Sequence, residues 1–248
     1  MTELWTKRYF DTVYHRRWAL GPPDETVFRH VDFVIHELGA SEGNSLLDVG
    51  CGQGRYSLAF AARGLQVTGF DASEVLLNQA RQLESGTSTR VRWVLGDMRR
   101  LSETDKYQYG ILFDAFGFFE SDDENEDVVR QLGQAVSPGG GVVIAVVNGE
   151  RILNSLEPVS RQEKNGRIVE VRRELEGRIL KEDVIITEGP REYAAERRQR
   201  LYSAAEIEKI VAGSGLRPRC LYGDLLGEVF SEENSSKIVV ICERVGNA

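Results

Sequence analysis

Apolar residues in this chain recur in short runs separated by helical stretches, and their order predicts the elements. Ser45 to Val49 is an apolar run closing on glycine, followed by a helical pattern from Arg55 to Arg63. Gln66 to Phe70 reads as a second strand, Ser73 to Leu83 as a second helix and Val91 to Leu95 as a third strand. Tyr107 to Phe113 and Gly141 to Val147 supply two more strands, with a helix from about Asp122 to Val136 between them. These runs lack period-2 alternation, as strands buried on both faces do. Strand–helix alternation at this spacing predicts βαβ crossovers: an α/β fold with a mainly parallel sheet covered by helices on both faces.

Two regions break the rhythm. Residues 1–40 read as helices placed before the first strand, with Val27, Val31, Val34, Ile35 and Leu38 at helical spacing. Residues 150–199 contain IVEVRREL and ILKEDVIITE joined at Glu176-Gly177, which predicts a hairpin of half-exposed antiparallel strands. A helix from Ser203 to Val211 follows, then Leu216 to Tyr222 and Lys237 to Cys242 as a terminal antiparallel pair. The expected organisation is a helical cap (1–40), a ligand-binding domain (41–149 and 200–248) and an antiparallel β insert (150–199).

Charge refines this division. The 248 residues carry 31 Lys+Arg against 39 Asp+Glu, a net −8 that argues against a nucleic-acid backbone as partner. Residues 160–200 hold 11 basic and 9 acidic side chains, so the remainder carries 20 against 30. The core is acidic and the insert mildly basic. The longest aliphatic runs, Val142 to Val147 and Ile238 to Ile241, are far short of a membrane span. The opening MTELWTKRYF holds no apolar h-region, so no secretory signal is expected. Cys51, Cys220 and Cys242 form no C-x-x-C pair, which fits a reducing, cytoplasmic setting.

The most informative stretch is LLDVGCGQGRYS, residues 46–57, where a strand turns into a helix. Ligands of open α/β sheets bind at such turns. Gly50, Gly52 and Gly54 permit positive φ and close approach of a ligand to the backbone. Asp71 closes the next strand in VTGFDAS, a position suited to a carboxylate accepting from two ribose hydroxyls. A dinucleotide site wants G-x-G-x-x-G, but Arg55 holds the third position, and no P-loop run exists. G-x-G-x-G preceded by Asp48 suits a phosphate-free nucleoside carrying an amino-acid tail.

LLDVGCGQGR, VTGFDAS, LGDMRRL and VSPGGGVVIAVVN together resemble the class I S-adenosylmethionine-dependent methyltransferases, over about residues 45–148 and again in the last helix and strand pair. Within that superfamily the chain is most similar to small-molecule enzymes of the glycine N-methyltransferase-like arrangement, with an antiparallel insert after the fifth strand. The resemblance implies a Rossmann-like seven-stranded sheet with its last strand antiparallel. It implies that Asp48 and the backbone of Gly50, Cys51 and Gly52 meet the methionine moiety of S-adenosylmethionine. Asp71 would hold the ribose, Ala72 and Ser73 would lie beside the adenine, Asp97 would accept from its amino group and Met98 would pack on the ring. Leu112 and Phe113 match apolar residues after the fourth strand. Asp114 stands where some amine methyltransferases place an Asn, which leaves its role open.

Methyl transfer from a sulfonium chiefly requires alignment of the acceptor, so a catalytic triad is not expected. Candidate catalytic groups are Asp114, Tyr14 and Tyr202, and candidate acceptor-binding residues are Phe116, Arg200 and Tyr222. Asp114 would either orient a cationic amine or cap its turn. Tyr9, Tyr14, His15, Trp5 and Trp18 would either close over the cofactor or pack the first helix on the sheet. Ser121 with Glu124 reads as S-x-x-E, an N-cap rather than a metal cluster, and no metal is expected. His30 and His36, six apart on one helix, read as surface residues. The expected function is S-adenosylmethionine-dependent methylation of a small-molecule acceptor, N-methylation slightly favoured over O- or C-methylation, releasing S-adenosylhomocysteine. The alternative is a non-catalytic S-adenosylmethionine-binding protein for sensing or assembly. No nucleic-acid or membrane partner is expected; the insert would serve as acceptor lid or oligomer contact, which allows a homodimer.

Overall fold

The computed structural model describes residues 2–18, 21–164 and 166–246. β1 (Ser45–Val49), β2 (Gln66–Asp71) and β3 (Val91–Leu95) run side by side in parallel. β4 (Tyr107–Phe113) and β5 (Val136–Val147) extend the sheet in parallel from the other side of β1. A separate antiparallel sheet then interrupts the chain: β6 (Val159–Lys164), β7 (Arg167–Glu176), β8 (Ile179–Glu188) and β9 (Arg191–Arg200). β10 (Leu216–Tyr222) and β11 (Lys237–Arg244) complete the first sheet, giving the order β10-β11-β5-β4-β1-β2-β3. β11 is antiparallel to both β5 and β10. The seven-stranded sheet with an antiparallel last strand is the architecture the sequence motifs imply.

Both faces of this sheet are buried, which is why its strands read as continuous apolar runs. On one face Leu47, Leu112 and Ile144 pack with Val128 and Leu132 of α6 (Asp122–Ala135) and Val211 of α8 (Ala204–Gly213). On the other, Leu46, Ile111 and Val143 pack with Val31 and Val34 of α3 (Glu25–Leu38) and Phe60 of α4 (Arg55–Ala62). Caps fix where the helices begin. Asp24 accepts from Val27 N at α3, Ser73 from Leu76 N at α5 (Glu74–Ser85), and Ser121 from Glu124 N at α6. Ser203 and Glu206 form a reciprocal capping box on α8.

Two expectations need correction. The hairpin expected over residues 168–188 is the central pair of a four-stranded meander, because β6 and β9 are too polar to show alternation. The strand expected from Gly141 begins at Val136, with a register break opposite Tyr107/Tyr109. The N-terminal segment is α1 (Thr2–Arg8), a π-helical stretch Tyr9–Tyr14 and α2 (His15–Arg17). Its aromatics do pack on a sheet, but on the insert: Tyr9 and Val13 are buried against Val171, Val184 and Ile186. The cap and insert meet near the carboxyl ends of β1 and β4, where Gln53 donates to the Trp18 carbonyl, Trp5 and Phe10 pack on Phe118, and Gln199 donates to the Phe116 carbonyl. β2 and β4 leave β1 in opposite directions, so a crevice opens there.

Candidate active site

The glycine turn after β1 is tied down by its own hydrogen bonds. Gly50 N–H and Cys51 N–H both donate to the carbonyl of Phe70, at 2.8 and 3.2 Å. Gly52 N–H donates to Asp71 Oδ2 at 2.8 Å. Ser57 donates to Asp48 from its hydroxyl, at 2.5 Å, and from its backbone N–H. A phosphate-binding loop must leave such donors free at the helix N-terminus. Here two internal carboxylates and a carbonyl occupy them, so the turn offers no cradle for a pyrophosphate.

The three glycines do different work. A Cβ on Gly50 would lie 2.4 Å from Ala115 Cβ and 3.4 Å from Met98 Cε, and one on Gly54 2.4 Å from Trp93 Cη2. A Cβ on Gly52 would meet nothing within 4 Å, so this glycine borders open space. Cys51 turns its Sγ toward Gly69, away from that space, and burial raises its thiol pKa. Cys51 can therefore meet a ligand through its backbone only.

Asp48 and Asp71 both lie in this wall. Asp48 is 3% exposed, and burial pushes its carboxyl up to about 7, opposed by the Ser57 hydrogen bonds. Burial also raises Asp71, opposed by the backbone N–H groups of Ser73 and Gly52. Asp71 accepts one hydrogen bond on each oxygen, from Ser73 N to Oδ1 and Gly52 N to Oδ2. The Ala72 backbone N–H also contributes, and since an ionised carboxylate offers about four acceptor positions, capacity remains for a ligand hydroxyl. Asp48 and Asp71 bring two carboxyls with raised pKa values into this wall, and a nearby positive charge favours the ionised form of each.

The neighbouring strand ends complete the crevice. Asp97 caps a short 3₁₀ turn, Met98–Arg100, and Arg99 grips its carboxyl at 2.6 to 3.1 Å. Burial raises Asp97, but the Arg99 hydrogen bonds outweigh it and hold the carboxyl below its ordinary value. Ser73, beside Ala72, donates to Asp11 at 2.6 Å, which fastens the N-terminal segment across the end of β2. Tyr14 is partly buried, and desolvation followed by the charge of Asp114 drives its phenol well above the ordinary range. The charge of Asp71 acts in the same direction. Phe113 packs edge-on against Tyr56, centroids 5.0 Å apart.

Asp114 holds φ +55, rare for a residue with a side chain, and Lys237 Nζ lies 2.5 and 2.7 Å from its two oxygens. The other acceptor-side candidates divide. Phe116 is buried and its carbonyl accepts from Gln199 Nε2 at 2.9 Å. Tyr202 stands behind Phe116, rings 4.9 Å apart, with its hydroxyl donating to Asp122 at 2.8 Å. Arg200 pairs with Asp122 and Glu206 and covers the Tyr202 ring. Tyr222 donates to Glu37 and contacts Phe33, both on α3.

Sequence reasoning missed three polar side chains here. Lys237 opens β11, an antiparallel strand whose start lies at the carboxyl edge of its parallel neighbours. Tyr56 follows the glycine turn directly. His30 is not a free surface residue: its Nδ1 lies 2.9 Å from Tyr56 Oη, and burial lowers its pKa, aided by Lys237. Only the position of Tyr56 inside the motif could have signalled this pair.

Known proteins resemble this chain in sequence and in fold. Residues 46–140 match a family model described as a methyltransferase domain. The ubiquinone biosynthesis O-methyltransferase of Pseudomonas savastanoi pv. phaseolicola is 32% identical over 145 residues, 56% of this chain and 61% of that relative. The chain thus matches about three-fifths of the length of the curated relatives. The CcbJ methyltransferase of Streptomyces caelestis superposes with a TM-score of 0.81 at 20% identity, covering 97% of this chain and 99% of that one. CalS10, an amino pentose methyltransferase from Micromonospora echinaspora, gives 0.66 at 22% identity, covering 89% and 91%. Residues 46–140 are thus similar to a methyltransferase domain, and the chain shares the fold of these methyltransferase structures.

Proposed function

We propose that this protein transfers the methyl group of S-adenosylmethionine to a small-molecule acceptor bound beneath the insert. The carrying observation is the glycine turn, whose N–H groups are held by Phe70 and Asp71 while Asp48 occupies the start of α4. That wall disfavours phosphate and favours a cationic ligand with two hydroxyls, which describes an aminoacyl sulfonium nucleoside. When bound, S-adenosylmethionine supplies an activated methyl on sulfur. Asp71 would hold the ribose, the turn at Gly52 would lie against the amino-acid tail, and Met98 and Phe113 would flank the nucleoside. Ala72, Ser73 and Asp97 would edge the adenine.

An amine acceptor is favoured over a hydroxyl. Asp114 is engaged by Lys237, and burial keeps the phenols of Tyr14 and Tyr202 protonated, so none of the three is a ready base. A neutral amine needs alignment, not deprotonation, before attack. The similar proteins include an O-methyltransferase in Pseudomonas and CalS10, an amino pentose methyltransferase.

Calorimetry with S-adenosylhomocysteine, then labelled-methyl transfer to panels of small amines, phenols and carboxylates, tests the reading. Asp71→Ala should weaken S-adenosylhomocysteine by about 1.5–3 kcal/mol, the scale of hydrogen bonds to a charged group. Unchanged affinity would remove Asp71 from the site. Tight cofactor binding without transfer to any acceptor would favour the non-catalytic alternative.

A further inference from the structure

The inner face of the insert carries a row of charge that the methyl-transfer site does not use. On β8, Leu180, Glu182, Val184 and Ile186 alternate inward, so Glu182 lies at a core position, 3% exposed. Its cross-strand partners are Arg173 on β7 and Arg197 on β9. Arg17 reaches in from the cap and grips Glu182 with both terminal nitrogens at 3.1 Å. Arg173 Nε donates to Glu182 at 3.0 Å, and Arg197 Nη1 contacts its other oxygen. Burial pushes Glu182 up, but Arg197 and Arg17 outweigh it and hold the carboxyl at about 2.

Three guanidiniums therefore share one carboxylate. Their side chains are only 9%, 18% and 17% exposed for Arg17, Arg173 and Arg197. Buried charges are ordinarily paired, so this cluster holds two positive charges more than its internal partner neutralises. Among the described residues, Arg173 Nη2 and Arg197 Nε have no hydrogen-bond partner. The remaining acid on the same wall, Glu157, has an exposed side chain and gives Arg173 its backbone carbonyl instead.

A cavity of about 320 Å³ opens on this row, with Val147, Leu156 and Leu180 on its apolar side and Arg173, Glu182 and Arg197 on its polar side. Val147 ends β5 at the carboxyl edge of the main sheet, and Gln199 in the same wall donates to the Phe116 carbonyl. The cavity thus adjoins the crevice without being part of the cofactor wall. We propose that it binds a carboxylate-bearing small molecule, with Arg173 and Arg197 completing their charge pairing on the carboxylate. Guanidinium forks suit carboxylate oxygens in both shape and charge. The apolar side fits a compact hydrocarbon or aromatic body. Calling that molecule the methyl acceptor rests on the function proposed above; the binding site itself does not.

Benzoate and benzamide, alike in shape but different in charge, are the probes. They are titrated into the whole protein, alone and saturated with S-adenosylhomocysteine. Benzoate should bind saturably and at least about tenfold more tightly than benzamide, the scale of one charged hydrogen bond. Arg173→Gln and Arg197→Gln should each remove that preference and leave S-adenosylhomocysteine affinity unchanged. Arg173→Lys, which keeps the charge and loses the fork, guards against misfolding and should give an intermediate preference. Equal binding of the two probes, or a benzoate preference surviving both Gln substitutions, overturns the proposal. Loss of S-adenosylhomocysteine binding in the unmodified protein would instead overturn the methyltransferase reading, and the probe comparison on the protein alone would still stand.

Discussion

Replacing Asp48 by Asn should make the protein more stable, and increasingly so as pH rises. In the folded chain burial holds the Asp48 carboxyl at about 7, against an ordinary 3.8 when unfolded. Between those values the folded state keeps a proton that the unfolded state has lost, so stability falls as pH climbs through the window and levels off above it. At about 1.4 kcal/mol per pH unit, this one group removes about 2–3 kcal/mol between pH 5 and pH 8. Asn cannot ionise, and its carbonyl can still accept from the Ser57 hydroxyl, which now lies 2.5 Å from Asp48 Oδ2. Urea unfolding of both proteins at pH 5 and pH 8, without ligand, measures the difference directly. Asp71 shifts in the same direction as Asp48, while the lowered pKa values of His15 and His30 act oppositely, losing stability as pH falls through 6.5. These groups are common to both proteins, so the change in the variant-minus-parent difference isolates Asp48. A difference that is the same at both pH values would refute the burial argument.

The glycine turn predicts a separation of fold from ligand. Gly54→Ala, at φ +78 and 2.4 Å from Trp93, should lose about 1–2 kcal/mol from the backbone and a further roughly 1–3 from overlap, read as a lower Tm. Gly52→Ala, at φ +55 in open space, should cost only the backbone share yet weaken S-adenosylhomocysteine about tenfold or more by calorimetry; unchanged affinity would move the ligand away from this turn. Tyr202→Phe deletes the hydroxyl on Asp122 and should cost about 0.5–1.5 kcal/mol of stability while sparing kcat. A hundredfold fall in kcat at unchanged Tm would return Tyr202 to the chemistry.

The glycine turn and the acids beside it were legible because their signals are local. Glycines at fixed offsets and an acid at each strand end sit within a βαβ stretch whose geometry is nearly fixed by sheet twist and crossover handedness. The acceptor side was less legible because it is assembled from distant segments. Lys237 reaches Asp114 only because β11 lies antiparallel beside β5. His30 reaches Tyr56 only because α3 packs on α4. Arg17 lies in the cap and Arg173 and Arg197 on two strands of the insert, so nothing local in the sequence marks them as one cluster. The one local hint was Glu182 at an inward position of ILKEDVIITE, and its meaning depended on partners from two other strands and the cap.

The sequence by itself determined the parallel sheet, the order of its elements and the glycine turn after β1, because periodicity and turn chemistry act over a few residues. Tertiary structure alone decided that the cap packs on the insert, that Asp48 is buried deeply enough to hold its proton near neutrality, and that three arginines converge on one carboxylate. Burial and convergence are properties of what surrounds a residue, and they set pKa and charge balance through desolvation, which no local pattern records.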